Sequence, residues 1–171
     1  NQAREMSQRL GNIGRDLTLG LTVPIGGAVT AIGVMAQTSS ENLLSMRNSA
    51  KLAGEGIEAF QRQAHAAAEE VNIEVDKLGQ IFADSREKIG EFAATGSGEL
   101  KDFFENIAPR VGLTTEAFKD LSGKDGLQLY YNALVQAGAG QQEIEFYMEA
   151  IASDARDLIP LLAENGKKFD E

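Results

Sequence analysis

Nine residues, Leu43, Met46, Ala50, Ala53, Ile57, Phe60, Ala64, Ala67 and Val71, follow one another at steps that alternate between three and four. Only a helix returns side chains to one face at that spacing, because about 3.6 residues complete a turn. A strand repeats every two residues, and the chain carries no long alternation of that kind. The steps have the a and d form of a coiled-coil seam. Gly54 and Gly56 interrupt it, and alanine fills four of its nine positions. Two readings follow. Either two amphipathic helices of a globular bundle share a face, or the nine positions are a self-association seam between copies, thin enough in its alanines to repack.

Helix signals continue along the chain. Ser39 or Ser40 caps a helix that runs to about Ala53, and Ile57 to Val71 follows the Gly54-Glu55-Gly56 break. Val75 to about Ala94 carries Leu78, Ile81, Phe82, Ile89 and Phe92 on one side. Thr95 to Gly98 reads as a loop. Residues 99–107 read as a short helix stopped by Pro109, and Thr114 or Thr115 as the cap of about two further turns. Ser122 and Asp125 resemble a capping box ahead of Leu127 to Ala137. Gln141 to Ile151 and Ala155 to Glu164 complete the set, with Gly166 as a C-terminal cap. The expected fold class is all-α, a series of short-to-medium amphipathic helices behind an apolar Gly/Ala-rich segment.

Charge divides the chain into three. Residues 1–16 carry Arg4, Arg9 and Arg15 against Glu5 and Asp16, and read as a short polar helical segment. Residues 17–40 carry no charge. Residues 41–171 hold all the rest and are acidic, with the seam region over 43–92 and compact short helices over 96–166. The run from Leu17 to Ala36 is long enough to cross a bilayer, which takes about 20 apolar residues as a helix. Leu17, Leu19, Leu21, Val23, Ile25, Val29, Ile32, Val34 and Met35 are the side chains it would present to lipid. Pro24 and the pair Gly26-Gly27 bend or interrupt such a helix. The small residues Gly26, Gly27, Ala28, Ala31 and Gly33 suit the other reading, close packing against protein.

The whole chain of 171 residues is long enough for one sizeable domain. It starts at Asn1 and ends on a charged run, so it reads as a piece of a longer polypeptide. Its net charge of −10 argues against a general basic surface, and no specific nucleic-acid binding is expected. The absence of cysteine excludes disulfides, thiolate metal sites and a cysteine nucleophile. The one histidine, His65, stands at an outward position beside the seam and reads as solvent-exposed. Glu69-Glu70, Glu74 with Asp76, and Glu143, Glu145 with Glu149 read as solvated helix faces, since the oxygen spacing of a calcium loop is missing. Gly123-Lys124-Asp125 and Gly138-Ala139-Gly140 lack the strand and glycine spacing of a phosphate loop. The expectation is therefore no enzyme, no catalytic residue, no metal and no cofactor.

Aromatic residues cluster at Phe103-Phe104, Phe118, Tyr130-Tyr131 and Phe146-Tyr147. Most belong in a core. Neighbours on a helix point about 100° apart, however, so one of each adjacent pair should lean outward. Phe103, Phe104, Tyr130, Tyr131, Phe146 and Tyr147 are thus the candidate contacts for a partner.

Several of these pieces carry a resemblance. Gly20-Leu21-Thr22-Val23-Pro24-Ile25 opens the apolar stretch, and Ser45-Met46-Arg47-Asn48-Ser49-Ala50-Lys51 and Phe60-Gln61-Arg62-Gln63-Ala64 follow. The run from Phe82 to Glu171 holds Asp102-Phe103-Phe104-Glu105-Asn106-Ile107-Ala108-Pro109, Leu127-Gln128-Leu129-Tyr130, Gln141 through Ala152, and Leu161-Leu162-Ala163-Glu164-Asn165-Gly166. Over nearly its whole length the chain resembles the N-terminal part of a phage tail tape measure protein, most specifically from Phe103 to Gly166.

The resemblance implies a mostly helical structural protein inside the growing tail tube, whose length sets tail length. It implies a homo-oligomer of three or six copies, contacts with tail tube and tail tip proteins, and coating by tail assembly chaperones. It implies a place in the virion's tail lumen, in the host cytoplasm during assembly, and at the host envelope when the protein leaves ahead of the DNA. It supplies no catalytic residues. Residues 96–166, with their Gly and Pro breaks, suit a compact domain or end anchor better than ruler length. The alternative, from a different class, is a membrane-inserting or channel-forming protein that acts through residues 17–36. A third is a helical adaptor whose surface aromatics bind another protein.

Overall fold

The computed structural model describes residues 40–169. Among them the helices are α1 (Ser40–Ala53), α2 (Ile57–Val71), α3 (Val75–Thr95), α4 (Gly123–Gln136), α5 (Gln141–Ile151) and α6 (Ile159–Gly166), with no strand. The fold is all-α. The expectations for residues 1–16 and for the uncharged segment over 17–36 lie outside the described residues.

Glycine and asparagine end the first helices. Gly54 adopts a left-handed conformation at φ 69° after α1, and Asn72 does so after α2 at φ 54°. Gly96 repeats the device after α3, its N–H donating to the Phe92 carbonyl at 2.7 Å. A left-handed residue at this position satisfies a terminal carbonyl that the helix leaves unpaired.

Helix α3, with 21 residues, is the spine. Leu78, Ile81, Phe82, Ser85 and Ile89 are buried along it at helical spacing. Helix α1 lies closest against it, because Gly79 lets Ser49 approach: a Cβ on Gly79 would stand 2.6 Å from the Ser49 Cβ. On the other side, Gly123 brings the start of α4 onto the α3 backbone. Its hypothetical Cβ falls 2.6 Å from the Phe82 carbonyl oxygen. Two α3 cations also cap other helices. Arg86 Nη1 donates to the Leu52 carbonyl at 3.2 Å, and Lys88 Nζ donates to the Ala150 carbonyl at 3.0 Å. Both meet the negative C-terminal end of a helix dipole. Residues 40–95 and 96–169 therefore belong to one unit that begins at Ser39, sharing a core that runs from Met46 to Phe169.

Two glycines of this spine region carry opposite expectations. Gly123→Ala forces a methyl into the Phe82 backbone and should cost about 1–3 kcal/mol, the range for overpacked sites. A Cβ on Gly90, inside α3, would meet nothing within 4 Å. Gly90→Ala should stabilise the fold by about 0.5–1 kcal/mol through helix propensity. Urea denaturation of the two variants measures both signs.

The region after α3 departs from expectation. Pro109 does not stop a helix. Residues Phe103–Ile107 form a π-helical turn, and Ala108–Val111 continue as a 3₁₀ turn with Pro109 in its first positions. Proline's missing N–H has no partner to lose there. The segment after Thr114 is a single 3₁₀ turn, Thr115–Phe118. Helix α4 starts right behind its cap, Ser122, whose Oγ accepts from the Asp125 N–H at 3.1 Å.

The last expected helix is also broken. A 3₁₀ turn, Ala155–Leu158, leads into α6, and the right-handed path ends at Leu162. Ala163 is extended, and Glu164, Asn165 and Gly166 then lie in the left-handed region at φ 53°, 61° and 72°. Such residues are unfavourable for L side chains. Helix α4 holds the turn in place. Gln128 Nε2 donates to the Leu162 carbonyl at 2.8 Å, and Asn132 Nδ2 donates to Asn165 Oδ1 at 3.2 Å. The turn returns Phe169 to the core, 6.3 Å from the Phe82 ring.

Candidate interaction surfaces

The nine seam residues divide by location. Met46, Ala50 and Ala53 of α1 and Phe60, Ala64 and Ala67 of α2 are buried within the chain. Leu43 and Ile57 remain 45% and 39% exposed, and Val71 is intermediate. The seam does not run along one helix, since the chain turns at Gly54. Six of its positions form core within one copy, so the bundle reading describes them and the self-association seam does not extend to them. The small alanines serve close contact between neighbouring helices of the same chain.

The aromatic positions are corrected in the same way. Phe103, Phe104, Tyr130 and Tyr147 are buried and are not partner contacts. The reason for the first pair is the π-helical turn, whose wider i to i+5 closure changes the angle between neighbours. Phe104 stacks on Phe92 at 4.4 Å with planes 5° apart, while Phe103 lies 4.0 Å from the Tyr130 ring. Tyr131 is half-buried. Phe146 alone of the six stands clear of the core, 65% exposed, with Tyr147 edge-on beneath it at 5.3 Å.

The buried tyrosines form a short polar chain through the aromatic core. Tyr130 Oη donates to the Tyr147 carbonyl at 2.9 Å, and Tyr147 Oη donates to the Asp102 carboxylate. Burial, and then the hydrogen bond to Asp102, pushes the Tyr147 phenol up to about 12. Burial, with Tyr147 and Asp102 nearby, pushes Tyr130 further above the ordinary phenol range. Both stay neutral in the fold when an unfolded phenol, near pH 10, already ionises. Their contribution is thus complete below about pH 10 and is lost as pH rises from there through 12. An alkaline unfolding titration should show the wild type losing stability over that window and Tyr147→Phe losing less.

Elsewhere the surface offers little chemistry. His65 Nε2 sits 3.5 Å from Glu69 Oε1, one turn along α2, with both side chains exposed. Among the described residues no group of three His, Asp or Glu is placed to hold a metal ion, and no helix is long and apolar enough to cross a membrane. A shallow apolar groove of ≈ 390 Å³ lies between Phe92, Phe104, Pro109 and Leu113.

Two exposed apolar faces stand out. The first is the outer side of α1, where Leu44 and Leu52 are 58% and 55% exposed beside Arg47 and Lys51. The second is the α4–α5 hairpin, with Val135 and Phe146 exposed and Glu143, Glu145 and Glu149 on α5. Sequence reasoning passed over Leu44, Leu52 and Val135. The signal for the first two was present: they fall off the 46-50-53 face that the same helix buries.

No family model, no curated protein and no solved structure matches this chain.

Proposed function

We propose that this chain is a fragment of a phage tail tape measure protein, a structural component that acts as a scaffold inside the tail tube and not as an enzyme. The observation that carries the reading is the string from Phe103 to Gly166, where the resemblance is most specific. In this reading the unit over 40–169 is a compact module, an end anchor or ejection element, and the ruler length belongs to other parts of the parent chain. Its several helices fold back on α3, so the unit spans far less than the same residues drawn out as one helix. The acidic composition suits a lumen shared with DNA, since like charge suppresses nonspecific association. The partners are further copies, tail tube and tail tip proteins, and assembly chaperones in the host cytoplasm. Mass spectrometry of purified tails tests the reading. Peptides from residues 40–169 should be present, and disruption of the parent gene should abolish tails of uniform length. Normal tails without this chain would refute it.

The uncharged run from Leu17 to Ala36 favours a second reading, insertion into the host envelope during genome delivery. Liposome flotation with and without residues 17–36 separates the two. Failure of the full chain to float would sink the membrane role of this segment.

A further inference from the structure

We propose that copies of this chain associate head to tail, the outer face of α1 on one copy docking on the outer face of α5 on the next. This deepens the multi-copy reading above and rests on it.

Successive residues turn about 100°, so Met46, Ser49, Ala50 and Ala53 mark the side of α1 that faces the core. All four are buried. Leu44, Arg47, Lys51 and Leu52 occupy the opposite arc of about 140°, and all four are exposed. Arg47 and Lys51 make no ion pair among the described residues. The arc therefore presents leucine flanked by unpaired positive charge, in a chain whose net charge is −10.

Helix α5 is the reverse. Tyr147, Met148 and Ile151 face the core. Phe146 is centred on the outer arc, with Glu143 and Glu149 exposed to either side; the helix carries no Lys or Arg, and the one cation paired with this rim is Arg156, whose Nη1 lies 3.1 Å from Glu149 Oε2, so Glu143 carries the rim's unpaired charge among the described residues. Acidic residues are common on this surface, but α5 combines them with a large exposed aromatic. An apolar centre with a charged rim is the usual anatomy of an interface, and the two rims have opposite sign.

The two faces are different patches, so the contact is heterologous. Such contacts generate rings or open filaments rather than closed pairs. Each patch is about one helix face, below the roughly 1,000 Å² of a stable interface, so the contact is weak in isolation. Opposite charge also makes it salt-sensitive over a Debye length of about 8–10 Å.

Sedimentation velocity on the full chain, at low and high salt, tests this with complementary charge reversals. One variant carries Arg47→Glu with Lys51→Glu, the other Glu143→Lys with Glu149→Lys. All four positions are exposed, and circular dichroism verifies that each variant keeps its helices. Each variant alone should associate at least about tenfold more weakly than wild type, because like charges then meet. A mixture of the two should recover association, since each new face meets its opposite. Weakening by the α1 variant only, with no effect of the α5 variant, would mean α1 pairs with itself and would overturn this contact while leaving a multi-copy protein. Association unmoved by either variant would do the same. A wild-type chain that stays monomeric at every concentration would overturn the contact and the multi-copy reading together.

Discussion

An Ala64→Lys chain should lose about 3–5 kcal/mol of stability, whereas Leu44→Lys should change it by less than about 0.5 kcal/mol. Both positions lie on amphipathic helices of the same half of the chain. Ala64 is 1% exposed on α2, and Ala53 is fully buried on α1. A lysine at Ala64, where the position is 1% exposed, has no room for its four-carbon stem. The chain must either bury an unpaired ammonium or part the helices, and both are costly. A domain of this size typically has only about 5–15 kcal/mol in total, so much of the population would unfold. Leu44 points to solvent at 58% exposure, where a lysine is ordinary. Urea denaturation followed by helicity measures the contrast. A self-association seam through Ala64 would give a different result: a folded chain of reduced mass. Loss of helicity with the loss of mass identifies the position as core.

Phe103→Ala should be the most damaging single truncation, at about 3–5 kcal/mol. Its ring is fully buried and stands against Phe104, Phe118, Tyr130 and Tyr147 at centroid distances of 5.1, 6.4, 4.0 and 6.3 Å. Three of these are edge-to-face, a favourable arrangement beyond area alone. Truncation leaves a cavity at the junction of the π-helical turn, α4 and α5, and it loosens the packing around the Tyr147–Asp102 hydrogen bond. Phe146→Ala is the matched control. That ring touches Tyr147 but is 65% exposed, so its loss should cost about 0.5 kcal/mol or less. Thermal denaturation of both variants ranks them. Equal costs would contradict a buried Phe103 ring and an exposed Phe146 ring.

Most of the fold could be read from local rules. The end of α1 and the start of α5 follow from Gly54 and Gly140, because each marks a place where the backbone leaves helical geometry. The core face of α3 follows from its spacing. What local rules missed depends on distant contacts. Asn165 and Gly166 signal a left-handed turn, but Glu164 carries no such signal; the turn starts early because Gln128, on α4, donates to the Leu162 carbonyl. Nothing near Phe103 signals a π-helical turn, and the inward direction of both Phe103 and Phe104 follows from rings supplied by α3 and α4. The seam was visible, but a 3-4 repeat looks the same whether a neighbouring helix or another copy covers it. Exposed leucines on the far side of α1 were the clue that separates the two.

The most direct measurement is tail length by electron microscopy, in particles whose parent gene carries an in-frame duplication of residues 40–169. Drawn out as continuous helix at about 1.5 Å per residue, that duplication would add about 195 Å. A compact structural module of the tail predicts tails that contain the lengthened chain and keep their original length. Tails longer by about 195 Å, or normal tails that lack the chain, would contradict it.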